Sequence, residues 1–217
     1  MDKRAFSAMP QTFTENWPGE IRSFSWEDYL TAIPSPLFLV TTYKENGREN
    51  ACLQAWSTFV GDAGLFLCIL GSVCQKSGHL YPSLMARGGC VLNFPSRDVY
   101  GRCKDTIRNN GWGADEITQS GLTAERAKTV DAPRIRECFL NIECELLWAH
   151  AHYPGSDYAT VALKATHICM DMGRCRGEGR YGEQGYLYNI NAARDPLTGA
   201  VLGAELGYIQ TMEESTK

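Results

Sequence analysis

The sequence predicts a mainly β protein, a closed or nearly closed antiparallel barrel with short helices inserted at its loops. Two observations carry that expectation. Apolar, β-prone runs follow one another along the chain, separated by Asn-Gly, Gly-Gly and Pro-Gly turn signals. The stretches with helix-start and helix-stop signals are short and fall between those runs. At 217 residues the chain can bury one substantial core, and its length does not demand a second.

Taken in order, residues 1–24 are polar and interrupted by proline, and are expected to form an N-terminal extension lying on the surface or on a partner subunit. Residues 25–217 are expected to form a single domain. Ser25-Trp26-Glu27-Asp28 has the capping-box pattern, opening a short helix that Pro34 and Pro36 stop. A strand over 36–43 meets an Asn46-Gly47 hairpin turn. The second strand carries Gln54-Ala55-Trp56-Ser57-Thr58, and the third covers 65–70. Lys76-Ser77-Gly78-His79 is a cationic polar loop ahead of a helix over 80–87, which Gly88-Gly89 closes. Residues 90–94 form a fourth strand, and Asp98 can cap a helix running to Asn109. After a polar loop at 111–121 comes a helical turn at 123–128. Residues 135–153 are long enough for two pairing segments. A strand at 158–171 places Ala159, Val161, Leu163, Ala165 and His167 on one face. A Gly- and Arg-rich stretch over 172–185 then leads to a last apolar piece at 185–190.

Composition excludes several classes of function. Net charge is −4 with no basic block, so nucleic-acid binding has no electrostatic footing. No apolar run approaches the ~20 residues of a membrane helix, and the first residues lack the apolar core of a secretory signal. The nine cysteines are odd in number and form no CxxC. Cys52, Cys68, Cys90, Cys138, Cys144 and Cys169 sit in apolar runs, where cysteine behaves as a small buried hydrophobe. Without closely spaced ligand pairs, no zinc site is expected. A reducing cytoplasm is the expected setting.

Two segments carry chemistry. Gln54, Ser57 and Thr58 are donors and acceptors beside Trp56, a set suited to the carbonyls and nitrogens of a flat ring. Lys76, Ser77 and His79 stand at a helix start, where a cation, hydroxyls and free N–H groups suit a phosphate. Core packing and a solvated turn are the bland alternatives. Gly177-Glu178-Gly179-Arg180-Tyr181-Gly182 matches GxGxxG but does not follow a strand into a helix, so no Rossmann unit is expected. His150 and His152 share a strand face without further ligands, and GxSxG is absent. Tyr181, Tyr186 and Tyr188 are core or interface residues, and they motivate a homodimer. Cys52, next to the ring-binding run, is either buried packing or a redox group.

The order of these elements, over residues 34–188, resembles the flavin reductase-like, or flavoredoxin, family of FMN-binding split barrels. The matching residues are Asn50 and Ala51, then Gln54, Ala55, Trp56, Ser57 and Thr58 along the flavin, and the loop Lys76, Ser77, His79 at the phosphate. Ser77 and His79 stand where the family has Asp and Thr. Asn93, in Val91-Leu92-Asn93-Phe94, matches a family strand in which the Asn is either a ligand or structural. The resemblance implies a six-stranded antiparallel Greek-key split β-barrel, dimeric, with FMN near the subunit interface. It implies hydride transfer from NAD(P)H to flavin and electron delivery to a small-molecule or protein acceptor. A non-catalytic FMN-binding electron-transfer protein on the same barrel is the alternative. No side chain stands out as a catalytic acid or base, which suits chemistry carried by the flavin itself.

Overall fold

The computed structural model describes residues 2–176, 179–203 and 205–213. Gly177 and Glu178 of the glycine motif lie outside the described residues. The helices are α1 (Glu20–Ser23), α2 (Trp26–Thr31), α3 (Leu80–Arg87), α4 (Arg97–Arg108), α5 (Glu116–Gln119) and α6 (Met172–Cys175). The strands are β1 (Ser35–Pro36), β2 (Phe38–Tyr43), β3 (Glu49–Gln54), β4 (Ser57–Asp62), β5 (Leu65–Gln75) and β6 (Gly89–Phe94). Beyond α4 lie β7 (Ala124–Arg126), β8 (Pro133–Ile135), β9 (Leu140–Ala151), β10 (Tyr158–Met170), β11 (Leu187–Asn189) and β12 (Leu206–Tyr208). The residues fall into two compact units, Met1–Pro34 with Tyr188–Gly207, and Ser35–Leu187 with Tyr208–Lys217.

In the first unit, Ser25 accepts from the Glu27 N–H while the Ser25 N–H donates to Asp28, so the capping box forms. Arg194 knits this unit together. It is buried, donates to Glu20 at 2.9 Å and to the Thr14 carbonyl, and lies 4.7 Å from the Tyr29 ring centroid.

The second unit is built on a seven-stranded antiparallel sheet in the order β3-β2-β6-β9-β10-β5-β4. The mainly β class is the one expected, and the main sheet carries seven strands where six were expected. The difference arises at Trp56. The run Gln54–Thr58 does not lie on one strand, because Trp56 adopts a left-handed backbone (φ 46°) that ends β3 and starts β4 in a new direction. Those two strands are the opposite edges of the sheet, so the Ala55-Trp56 corner brings the edges together at one end and rolls the sheet. Breaks of register in β10, at 159–161, 162–163 and 165–167, add local coil to the rolled sheet.

The rolled sheet encloses a core that includes Phe38, Val40, Leu70, Leu92, Phe94, Ile142 and Leu163, with Cys68, Cys74, Cys90 and Cys144 as small apolar fillers. Leu39 faces the other way, into a second cluster with Val99, Cys103, Ile117 and Ile135 beneath α4 and α5. This two-sided burial explains why β2 is buried from Phe38 to Thr42 rather than alternating between buried and exposed positions. All nine cysteines are free. The helical turn expected at 123–128 is instead β7, paired with β8. Arg134 and Arg136 both grip Glu125 across that ribbon, and such cross-strand pairs are unavailable to an isolated turn. Residues 135–153 form the end of β8 and one long strand, β9, whose first half pairs with β6.

The corner depends on Gly71, where an added Cβ would lie 2.1 Å from the Trp56 carbonyl oxygen. Gly71→Ala should destabilise the protein by about 1–3 kcal/mol or more, through forced backbone movement. Gly61→Ala, with nothing within 4 Å of the new methyl, should change stability by less than about 0.5 kcal/mol. Urea denaturation of the two variants checks this, and equal effects would remove the corner from its place in the fold.

Candidate functional site

Strand β3 is an edge of the sheet, so alternate N–H groups point away from β2. The loop around α5 occupies the first two of them. Asp115 accepts from the Glu49 N–H at 3.1 Å, and Glu116 accepts from the Ala51 N–H at 2.8 Å. Glu49 returns the contact, accepting from the N–H and hydroxyl of Thr118. The alternation puts the Leu53 N–H next along that same edge.

Glu116 is also half of a buried ion pair. Lys44, at the end of the β2 hairpin arm, is 0% exposed, and its Nζ lies 2.6 Å from Glu116 Oε1. The other Lys44 protons go to the carbonyls of Gly111 and Ala114, at 2.7 and 3.0 Å. His79 approaches the same carboxylate, with Nδ1 3.5 Å from Oε1 and its ring edge-on to Trp112. Its Nδ1 is buried without a hydrogen-bond partner.

Beside this cluster lies a cavity of about 240 Å³. Residues 50–53 of β3 form one wall, Gln75, Gly78 and His79 of the loop before α3 another, and Thr106, Ile107 and Asn110 at the end of α4 a third. Of the residues singled out in the sequence, Asn50 and His79 line this space, while Gln54, Ala55, Trp56, Ser57, Thr58, Lys76 and Ser77 are not among its lining residues. The α4 wall, Lys44 and Glu116 carried no sequence signal. Lys44 sits in a Lys-Glu-Asn-Gly turn and Glu116 in a polar loop, where charge ordinarily means solvent contact.

The expected site residues are placed as follows. Asn50 is buried in the cavity wall and donates to Thr42 Oγ1 at 3.1 Å. Gln54 is buried, its Nε2 3.1 Å from Cys52 Sγ and its Oε1 without a partner. Ala55 is buried, Trp56 makes the corner, Ser57 donates back to the Ala55 carbonyl, and Thr58 is exposed on β4. Lys76 donates from Nζ to the Ser156 carbonyl at 2.7 Å, and Ser77 donates to Asp157 at 2.8 Å. Hydrogen bonds from Gln75 and Ser77 hold the Asp157 carboxyl below the usual range. Asn93 lies in the core, away from the cavity. Its Nδ2 reaches Thr41 Oγ1 and the carbonyls of Leu39 and Val91, and its Oδ1 accepts from the Ile135 N–H and from Asn141. Every polar atom of that side chain is engaged within the protein. Burial pushes the Cys52 thiol up to about 11, which leaves it protonated and poorly nucleophilic at neutral pH.

The family model described as "Flavin reductase like domain" matches residues 30–183, most of the chain. The chain belongs to that family. Among its relatives, the Bacillus subtilis (strain 168) protein YdfE is 26% identical over 145 residues, covering 60% of this chain and 67% of that protein. Solved structures share the split-barrel fold at lower identity. Flavoredoxin of Desulfovibrio vulgaris (Miyazaki F) superposes with a TM-score of 0.66 at 21% identity, over 84% of this chain and 90% of its own. Nitrilotriacetate monooxygenase component B from Bacillus cereus gives 0.71 at 15%, over 98% and 100%.

The Lys44–Glu116 pair supplies a prediction for this flavin reductase-like domain. Lys44→Met should cost about 3–5 kcal/mol, because it leaves a buried carboxylate unpaired. Adding Glu116→Gln should restore part of that loss, since a neutral amide still accepts from the Ala51 N–H. Urea unfolding of the single and double variants measures the coupling, and strictly additive losses would show that the two charges do not interact.

Proposed function

We propose that the protein binds FMN in this cavity and acts as a flavin reductase-like oxidoreductase, taking hydride from NAD(P)H and passing electrons to a small-molecule or protein acceptor. The observation that carries the proposal is the cavity itself. It joins the free edge of β3 to the loop that precedes α3, in a chain of the flavin reductase like family. The residues fit an isoalloxazine. The outward backbone at Ala51 and Leu53 offers carbonyl acceptors and a donor N–H to the amide edge of a flat ring, and buried Gln54 holds an unpartnered Oε1 nearby in the same strand. The N–H groups at the start of α3, with the loop residues 76–79, suit the phosphate. Asn93 is assigned the task of fixing β2, β6 and β9 together rather than touching the ligand.

Bound FMN would supply the hydride-accepting ring, so the chain's residues have only to hold it, orient it and limit water. That agrees with a cavity whose one lining thiol is protonated, and beside which the buried Glu116 carboxylate is already matched by Lys44.

The same proposal takes residues 25–217 as one FMN-binding domain, in a homodimer. A space of about 240 Å³ is smaller than the roughly 300–1,000 Å³ that encloses a ligand of this size, so part of the FMN would extend beyond it, where a second subunit would cover it. Tyr186 is not the reason to dimerise, because it packs within its own chain on Phe94 and Phe139. Val60, Leu65, Leu147, Trp148 and Ile168 are exposed on the neighbouring strands β4, β5, β9 and β10, and a second subunit would cover them. No helix among the described residues is long and apolar enough to cross a membrane, and a reducing cytoplasm suits nine free thiols.

Purified protein should quench FMN fluorescence saturably at micromolar concentration and should oxidise NADH or NADPH. Absent binding would sink the proposal, and binding without NAD(P)H oxidation would leave a flavin-binding electron carrier. Light scattering should give twice the 24.1 kDa chain mass. A monomer at both low and high concentration would refute the dimer.

A further inference from the structure

A second cavity, of about 180 Å³, lies between the β7–β8 ribbon and the adjoining ends of β9 and β10. None of the residues around it lines the cavity assigned to FMN. On the ribbon side, Arg134 and Arg136 divide one carboxylate. Arg134 donates from Nε to Glu125 Oε2 at 3.0 Å, with Nη2 2.9 Å from the same oxygen, and Arg136 donates from Nε to Oε1 at 2.6 Å. The bonds from Arg136 and then from Arg134 hold the Glu125 carboxyl below its usual range, so it is ionised at neutral pH. Two guanidiniums against one carboxylate leave one positive charge over. Among the described residues, Nη1 of Arg134 and both Nη groups of Arg136 have no partner.

The other side of the cavity offers acceptors. Asp171 follows β10, and its backbone is fixed, with its N–H donating to the Phe139 carbonyl at 2.9 Å and its carbonyl accepting from the Arg174 N–H at 2.9 Å. Its carboxylate lines the cavity and meets no donor or cation among the described residues. Asn141, on the same wall, is only 5% exposed. Its partners fix which way its amide points. Asn93 Oδ1 is an acceptor, since it takes the Ile135 N–H at 2.8 Å, so the Asn141 atom 2.9 Å from it is the amide nitrogen. That nitrogen also donates to the Ile135 carbonyl at 3.0 Å. Both donors of Asn141 are thus spent inside the protein, and the capacity left to this buried side chain is that of Oδ1, an acceptor without a partner among the described residues.

Surplus guanidinium and an unpaired carboxylate therefore line one space without touching, beside a buried acceptor with nothing to accept. We propose that this cavity is a second ligand site, for a small zwitterion that carries a carboxylate and an ammonium group, as a short amino acid does. The ligand's carboxylate takes the Nη groups of Arg134 and Arg136, and its ammonium donates to Asp171 and to Asn141 Oδ1. A simple carboxylate leaves Asp171 unpaired and is repelled by it, and a simple amine meets the surplus guanidinium, so each single charge is disfavoured. The size agrees, because a cavity of roughly 150 Å³ takes a benzene and one of about 180 Å³ suits roughly six to ten non-hydrogen atoms.

The test is saturation-transfer NMR on the full chain at neutral pH, titrating L-alanine, β-alanine and 4-aminobutyrate, with propionate and propylamine as single-charge controls. At least one of the amino acids should bind saturably at about millimolar concentration or tighter, and both controls about tenfold or more weakly. Asp171→Asn should weaken that amino acid by about tenfold and leave propionate bound no more weakly, because a repelling carboxylate is gone. Arg136→Gln should weaken both. Each side chain is largely exposed, and unchanged urea midpoints would show that the variants fold. Absence of saturable binding by all of the amino acids overturns the proposal. So does propionate binding as tightly as the amino acid, or amino-acid binding that both substitutions leave untouched. FMN binding rests on the other cavity, and its titration succeeds or fails independently of this one.

Discussion

A lysine that is fully buried at the end of a β-strand must find its counter-charge inside the protein, and much of the candidate site follows from how Lys44 does so. Its carboxylate comes from α5, so the whole polar segment between α4 and β7 is drawn onto the β2–β3 hairpin. The carbonyls of Gly111 and Ala114 complete the ammonium's shell, fixing the backbone of that segment as well as its side chain. Trp112, carried in by the same segment, lies against His79. One desolvated charge therefore sets the position of a loop, the orientation of a histidine and one margin of a cavity.

The same contacts manage the exposed edge of β3. Edge strands offer unpaired N–H groups that invite unwanted pairing. Here two carboxylates from α5 take the first two outward donors. The strand then runs on past the end of that cover, and its remaining edge borders the cavity. Covering an edge for most of its length, and leaving the last part open, turns a feature that is otherwise a hazard into the wall of a cavity.

At the opposite end of β3 the constraint is steric. The chain passes from one edge of the sheet to the other within two residues, which requires a left-handed Trp56 and a glycine opposite it. In the middle of the sheet, Asn93 joins three strands and the β8 segment through a saturated set of hydrogen bonds. A fully satisfied polar network specifies one register, since any slip leaves buried donors unpaired.

The sequence by itself determined the parts of this protein that rest on local chemistry. Alternating and continuous apolar runs marked the strands, Asn46-Gly47 marked the first hairpin, Ser25 and Asp28 marked a cap, and Gly88 marked the end of α3. Those signals are legible because backbone conformation and side-chain period are set within a few residues. The family likeness was legible in the order of the same elements. What the tertiary structure decided is non-local: that the Gln54–Thr58 run bends at Trp56, that residues 124–126 pair as a strand, that Asn93 is consumed in the core, and that Lys44 and His79 meet at the Glu116 carboxylate. None of these leaves a mark in its own neighbourhood. A charged residue in a polar turn looks the same in sequence whether it meets water or a buried partner, and only the folded chain determines which of the two it finds.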